Sequence, residues 1–140
     1  MKIFSCMFSA VVLLAAMLYI SSPPLSEDGE KAVYYSQNSS GSFEKECDFY
    51  AKYGVFAPLK YFEIKGESVY VSGECNVSDV LNKYSATAIY RSDAGGVTCY
   101  YCYSPRLAGG VRLKGKTINL HIAVSDEGYT VGTPIIFGGF

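Results

Sequence analysis

Ile118-Asn119-Leu120-His121-Ile122-Ala123-Val124 is the most regular stretch of the chain. Ile118, Leu120, Ile122 and Val124 alternate with Asn119, His121 and Ala123. That period of two belongs to a half-buried strand with one apolar side. Turn residues bound it on both sides: Gly115-Lys116 before and Asp126-Glu127-Gly128 after. Beyond the second turn come Tyr129-Thr130-Val131 and Ile135-Ile136. Pro134 between them implies an edge or a bulge there.

Moving toward the N-terminus, Gly109-Gly110 turns into Val111-Arg112-Leu113. Val97–Tyr103 is rich in Thr and Tyr and is stopped by Pro105. Thr87–Arg91 runs into the turn Asp93-Ala94-Gly95-Gly96. Asn76 reads as the N-cap of a short helix, with Asp79 in its first turn and Val77, Val80, Leu81 and Tyr84 on one apolar face. Residues 61–65 and 69–71 flank Gly66-Glu67-Ser68 as a hairpin candidate. Phe43, Cys47, Tyr50 and Ala51 are spaced as in a helix over Phe43–Tyr53, ending at Gly54. The expected class is α+β: a mostly antiparallel sheet with one or two short helices on one face, over residues 43–140. A domain of that size buries a limited core, so cross-links would help it.

The first 22 residues read as a targeting segment. Lys2 precedes an 18-residue apolar run, Ile3–Ile20, stopped by Pro23-Pro24. Two readings stand side by side: a cleaved signal peptide with Ser21 and Ser22 before the cut, or an uncleaved membrane anchor. Both make the remainder extracytoplasmic. Cys6 has no lipobox around it. Residues 23–42, rich in Ser, Pro, Gly and Glu, read as a flexible linker. Their one apolar island, Ala32-Val33-Tyr34-Tyr35, is either a docking strand or incidental.

Composition narrows the function. Lys and Arg number 12 against 13 Asp and Glu, and Lys2 is the only charge in the targeting segment. The remainder is therefore slightly acidic. Arg106 and Arg112 are too few to track a phosphate backbone, so no nucleic-acid partner is expected. One His in the chain leaves little room for multi-His metal sites or for most acid–base constellations. No P-loop, nucleophile elbow, His-Glu-x-x-His or dinucleotide fingerprint occurs.

The ending resembles that of the YwmB family of secreted or anchored Gram-positive proteins. The likeness rests on Asn119, Leu120, Ile122 and Ala123 in the strand, then Gly132, Pro134 and Ile135, with Phe140 as the terminal aromatic. Tyr103-Ser104-Pro105 is loosely compatible with it. The resemblance implies a fold like the TATA-box-binding protein: a curved antiparallel sheet with helices on its convex face, here one half or a variant. It implies an extracytoplasmic location, and it brings no assigned enzyme activity and no catalytic residue to carry over.

Three side-chain groups are candidates for chemistry. Apart from Cys6, four cysteines remain, Cys47, Cys75, Cys99 and Cys102, an even count compatible with two disulfides. Cys75 with Cys99 or Cys102 is the pairing to test. Cys99-Tyr100-Tyr101-Cys102 has the spacing of a thiol redox or metal pair, yet strand positions three apart point to opposite faces. His121 reads as a partly exposed sheet residue, with no nucleophile or carboxylate signalled near it. The chain has 13 Tyr and no Trp, and Tyr100, Tyr101 and Tyr103 mark a possible contact surface, since tyrosine has an apolar body and a polar tip. No cofactor, metal or catalytic residue is assigned. The expected function is a non-catalytic cell-envelope interaction module. Its partners would be the membrane, through the N-terminal segment, and an envelope protein or cell-wall ligand.

Overall fold

The stretch Ile118–Val124 forms two strands, broken at Asn119. In the computed structural model, residues 7–14, 16, 25–37, 42–46 and 64–136 are described. The strands are β1 (Glu30–Gln37), β2 (Ser42–Glu46), β3 (Ile64–Ser72), β4 (Thr87–Ala94), β5 (Val97–Tyr103), β6 (Val111–Leu113), β7 (Lys116–Ile118), β8 (Leu120–Val124) and β9 (Gly128–Thr133). One helix, α1 (Val77–Lys83), lies between β3 and β4. Seven strands form an antiparallel sheet in the order β2-β1-β3-β9-β8-β5-β4, and β6-β7 is a separate ribbon. The class is α+β, with the helix on one face of the sheet.

β8 is more buried than its alternation predicts. Leu120 and Ile122 are fully buried on the helix side, and His121 and Ala123 are 4% and 3% exposed on the other. The reason is position: β8 is an interior strand, between β9 and β5, and both of its faces are covered. Across the helix side the register sets Ile122 beside Val131 of β9, and Val131 beside Val69 of β3. Val80 and Tyr84 from the helix complete this core with Leu107 and Leu25. Burying such side chains contributes roughly 1.5–3 kcal/mol each.

Asn76 caps α1 as its sequence indicates. Its side chain accepts the Ser78 N–H at 3.2 Å, Asp79 lies in the first turn and Lys83 in the last. The C-terminal end closes in a Schellman arrangement: Ser85 N–H donates to Asn82 O and Ala86 N–H to Leu81 O. Ser85 takes the left-handed conformation, φ 50°, that glycine adopts at no steric cost. Ser85→Gly is therefore expected to raise the unfolding free energy by about 0.5–1 kcal/mol, read as a higher urea midpoint at unchanged m-value. A lowered midpoint would contradict that account.

Several expectations need correction. Residues 61–71 do not form a hairpin: Gly66-Glu67-Ser68 lies inside the continuous strand β3, and residues 61–63 lie outside the described residues. Residues 42–46 are strand β2, not the start of a helix, and the rest of the expected helix, Cys47 included, falls outside the described residues. The linker reading fails for residues 25–37. Leu25 is 1% exposed in the core, and β1 pairs with both β2 and β3. Ser26 N–H donates to the Tyr84 hydroxyl at 3.0 Å, while Lys83 Nζ reaches Ser26 O and Glu27 Oε1, both at 3.0 Å. Composition misleads here because ladder hydrogen bonds use backbone groups that every non-proline residue carries. Pro134 does not mark an edge: β9 ends one residue before it and lies inside the sheet.

Residues 7–14 are helical, and Met7, Phe8, Val11, Val12, Leu13 and Leu14 are all exposed. Among the described residues no helix is long and apolar enough to cross a membrane.

Candidate contact face

The side of the sheet away from α1 carries the candidate site. Register assigns its rows. One runs Tyr90, Tyr101, His121, Gly132, Ser68 and Ala32 across β4, β5, β8, β9, β3 and β1. The next runs Ser92, Cys99, Ala123, Thr130 and Tyr70.

The first row is built and closed. Tyr101 stacks on His121 with ring centroids 4.5 Å apart and planes 17° apart. The Ile136 N–H donates to His121 Nδ1 at 3.2 Å, so residues 134–136 fold back over β8 and β9. Gly132 leaves room for them: a Cβ there would stand 2.6 Å from Ile136 Cγ1. Burial drives the His121 pKa down to about 4 because a charged imidazole is poorly solvated there. His121 is thus a neutral core residue, not the partly exposed one expected. The Tyr90 hydroxyl donates to Lys114 O at 3.3 Å, which ties the β6-β7 ribbon to this face.

The second row is open. A hollow of about 170 Å³ is lined by Tyr70, Val97, Ala123, Ser125, Glu127, Gly128 and Thr130. The Tyr70 hydroxyl donates to Glu127 O at 3.4 Å, and Tyr70 remains 37% exposed. Tyr103, on the same side of the sheet, is 43% exposed. The hollow thus offers an aromatic ring, hydroxyl groups and one carboxylate, a lining suited to a neutral or cationic polar ligand.

The tyrosines singled out on β5 separate. Tyr101 and Tyr103 lie on the helix-free side. Tyr100 points to the other, where it packs against the core and lies 5.7 Å beneath the Arg91 guanidinium. Sequence reasoning counts Tyr70 among the tyrosines suited to contacts but misses Glu127 and Thr130 as its partners on that face. No local signal marks them, because only the β3–β9 register brings Tyr70 opposite Thr130.

Among the described residues the cysteines do not converge on one site. Cys75, Cys99 and Cys102 are free thiols, so the Cys75 pairing with Cys99 or Cys102 is absent. Cys102 sits in the core and Cys99 on the opposite face, as strand alternation requires. Burial raises all three thiol pKa values, that of Cys102 to about 11. Among the described residues no group of three His, Cys, Asp or Glu converges to hold a metal. Native alkylation at pH 8 is expected to leave Cys99 and Cys102 unmodified and to label both in denaturant. Rapid native labelling of either would contradict their burial.

The remaining motif residues have structural tasks. The Asn119 side chain accepts the Ser104 N–H at 2.7 Å and donates to Ser104 O at 2.7 Å and Leu107 O at 2.8 Å. The Asn119 backbone carbonyl accepts the Thr133 hydroxyl at 2.8 Å. Leu120 and Ile122 fill the core, while Pro134 and Ile135 belong to the half-buried segment leaving β9. In comparisons with protein-family models, curated proteins and solved structures, nothing matches this chain.

Proposed function

We propose that this chain is a non-catalytic interaction module of the cell envelope, of the YwmB type, acting outside the cytoplasm and exported or anchored by residues 3–20. The observation that carries the reading is the helix-free face. It leaves Tyr70 exposed at a hollow lined by hydroxyl groups and Glu127, and Tyr103 exposed farther along the same side. Aromatic rings with polar tips suit a surface that must bind while staying wetted. Fragments of cell-wall glycopeptide offer matching chemistry: sugar faces for the ring, and amide and amine groups for Ser125, Thr130 and Glu127.

The alternative thiol or metal function at Cys99 and Cys102 is disfavoured by their burial on opposite faces. Nucleic-acid binding is disfavoured by the slightly acidic charge balance.

The test is an NMR titration of the isotope-labelled protein with soluble cell-wall fragments. Shifts clustered at Tyr70 and residues 123–130, with affinity lowered about tenfold or more by Tyr70→Ala, are the expected result. Saturating fragments that shift no resonance on this face would overturn the cell-wall reading.

A further inference from the structure

The outer edge of β4 is a second surface, independent of the contact face. β4 ends the sheet, and among the described residues its only strand partner is β5. Residues 91–96 are exposed. The β4–β5 turn is Gly95-Gly96, with φ of 59° and 82°, the two positive values of a type I′ hairpin. In such a turn the flanking pair, Ala94 and Val97, is hydrogen-bonded. Antiparallel pairs alternate from there. Ala94, Ser92 and Tyr90 therefore direct their backbone N–H and C=O toward β5. Arg91 and Asp93 direct theirs outward, into solvent.

The side chains of those same two residues carry opposite charges on one face. Arg91 Nη2 donates to Asp93 Oδ1 at 3.1 Å, and the Thr98 hydroxyl donates to Asp93 Oδ1 at 2.6 Å. The Arg91 guanidinium lies 5.7 Å from the Tyr100 ring centroid. Both charges are held in place without being consumed, since guanidinium has five donors and a carboxylate about four acceptor sites.

This edge is complementary to itself. Two copies of β4, antiparallel with Ser92 opposite Ser92, place Arg91 of each copy opposite Asp93 of the other. Those are the residues with outward backbone groups, so both pairs also become hydrogen-bonded pairs: four N–H···O=C bonds and two cross-strand ion pairs. A shift of two residues puts Arg91 opposite Arg91, or Asp93 opposite Asp93, which is unfavourable. Charge thus selects a single register. We infer that the β4 edge is a homodimer interface, with a second copy of this chain as its occupant and Arg91 and Asp93 setting the register. The register irregularity between Ala88 and Tyr90 and the Gly95-Gly96 turn limit the matched segment, so the dimer is reversible and concentration-dependent.

Sedimentation of the full chain in mild detergent, up to about 0.5 mM, tests this. The wild type is expected to move from monomer to dimer as concentration rises. Arg91→Asp and Asp93→Arg each place like charges opposite one another and are expected to weaken the dimer on the order of tenfold or more. An equimolar mixture of the two variants restores both opposite-charge pairs and is expected to form a heterodimer. Circular dichroism identifies any variant that fails to fold, and the mixture then needs only the wild-type concentration series beside it. A wild type that stays monomeric throughout overturns the inference. So does a dimer that persists in both single variants, since the apolar N-terminal segment would then suffice, and so does a mixture of folded variants that does not associate.

Discussion

Asn119→Leu is expected to lower the unfolding free energy by about 3–5 kcal/mol. The side chain is 1% exposed and makes three hydrogen bonds, two to Ser104 and one to Leu107. Leucine fills a similar volume but offers no polar atom. The Ser104 N–H and the Leu107 carbonyl then lose these partners in a place that water reaches poorly. Orphaning such groups costs about 1–3 kcal/mol each, more than the net gain from any one hydrogen bond. Hydrogen exchange locates the effect. The Ser104 amide, which donates to Asn119 Oδ1, should lose protection. The Asn119 amide, which donates to Cys102 O at 3.0 Å, should keep it. A loss below about 1 kcal/mol would show that the loop 104–107 repacks around the leucine without the peg.

The second large effect is acid destabilisation through His121. In an unfolded chain a histidine titrates near its ordinary 6.5, whereas burial holds His121 at about 4 in the fold. Above pH 6.5 the imidazole is neutral in both states, and the full stability is present. As pH falls from 6.5 toward 4, the unfolded chain gains a proton that the folded one refuses, so stability falls. Below 4 both states are protonated and the loss levels off at about 3 kcal/mol. The expected signature is a wild-type stability that declines over this window and a His121→Gln variant that declines less. Asp93 is separable. The Thr98 hydroxyl and Arg91 hold its pKa below the ordinary carboxylate value, so its contribution fades at lower pH than that of His121. Because the chain has a single histidine, its imidazole resonance can be followed without assignment ambiguity. A midpoint near 6.5 in the folded protein would remove the basis of the prediction.

These two residues show where the sequence is legible and where it is not. The polar positions of Ile118–Val124 suggested a strand face turned toward solvent. In the structure Asn119 is a satisfied buried peg and His121 a neutral ring stacked on Tyr101. The pattern cannot distinguish a solvent-facing polar residue from a buried one whose partners come from other strands. Asn76 and its helix were legible because capping depends on residues within one turn of each other. The Gly95-Gly96 turn was legible for the same reason. The Leu25–Gln37 segment was not. Its partners are Tyr84 and β3, far along the chain, and its ladder bonds leave no mark on composition.

Local chemistry sets the α+β class, the capped helix α1 and the alternation of strands and turns, since propensity and period act over a few residues. It also places Cys99 and Cys102 on opposite faces, because side chains alternate along any strand. Strand order and register lie beyond it. They put β8 in the interior of the sheet, bury His121, bring Tyr70 to the hollow beside Thr130 and, among the described residues, leave β4 at the sheet's edge. The physical reason is that each of these depends on pairing between residues distant in the chain, where one residue of slip would exchange the faces of an entire strand.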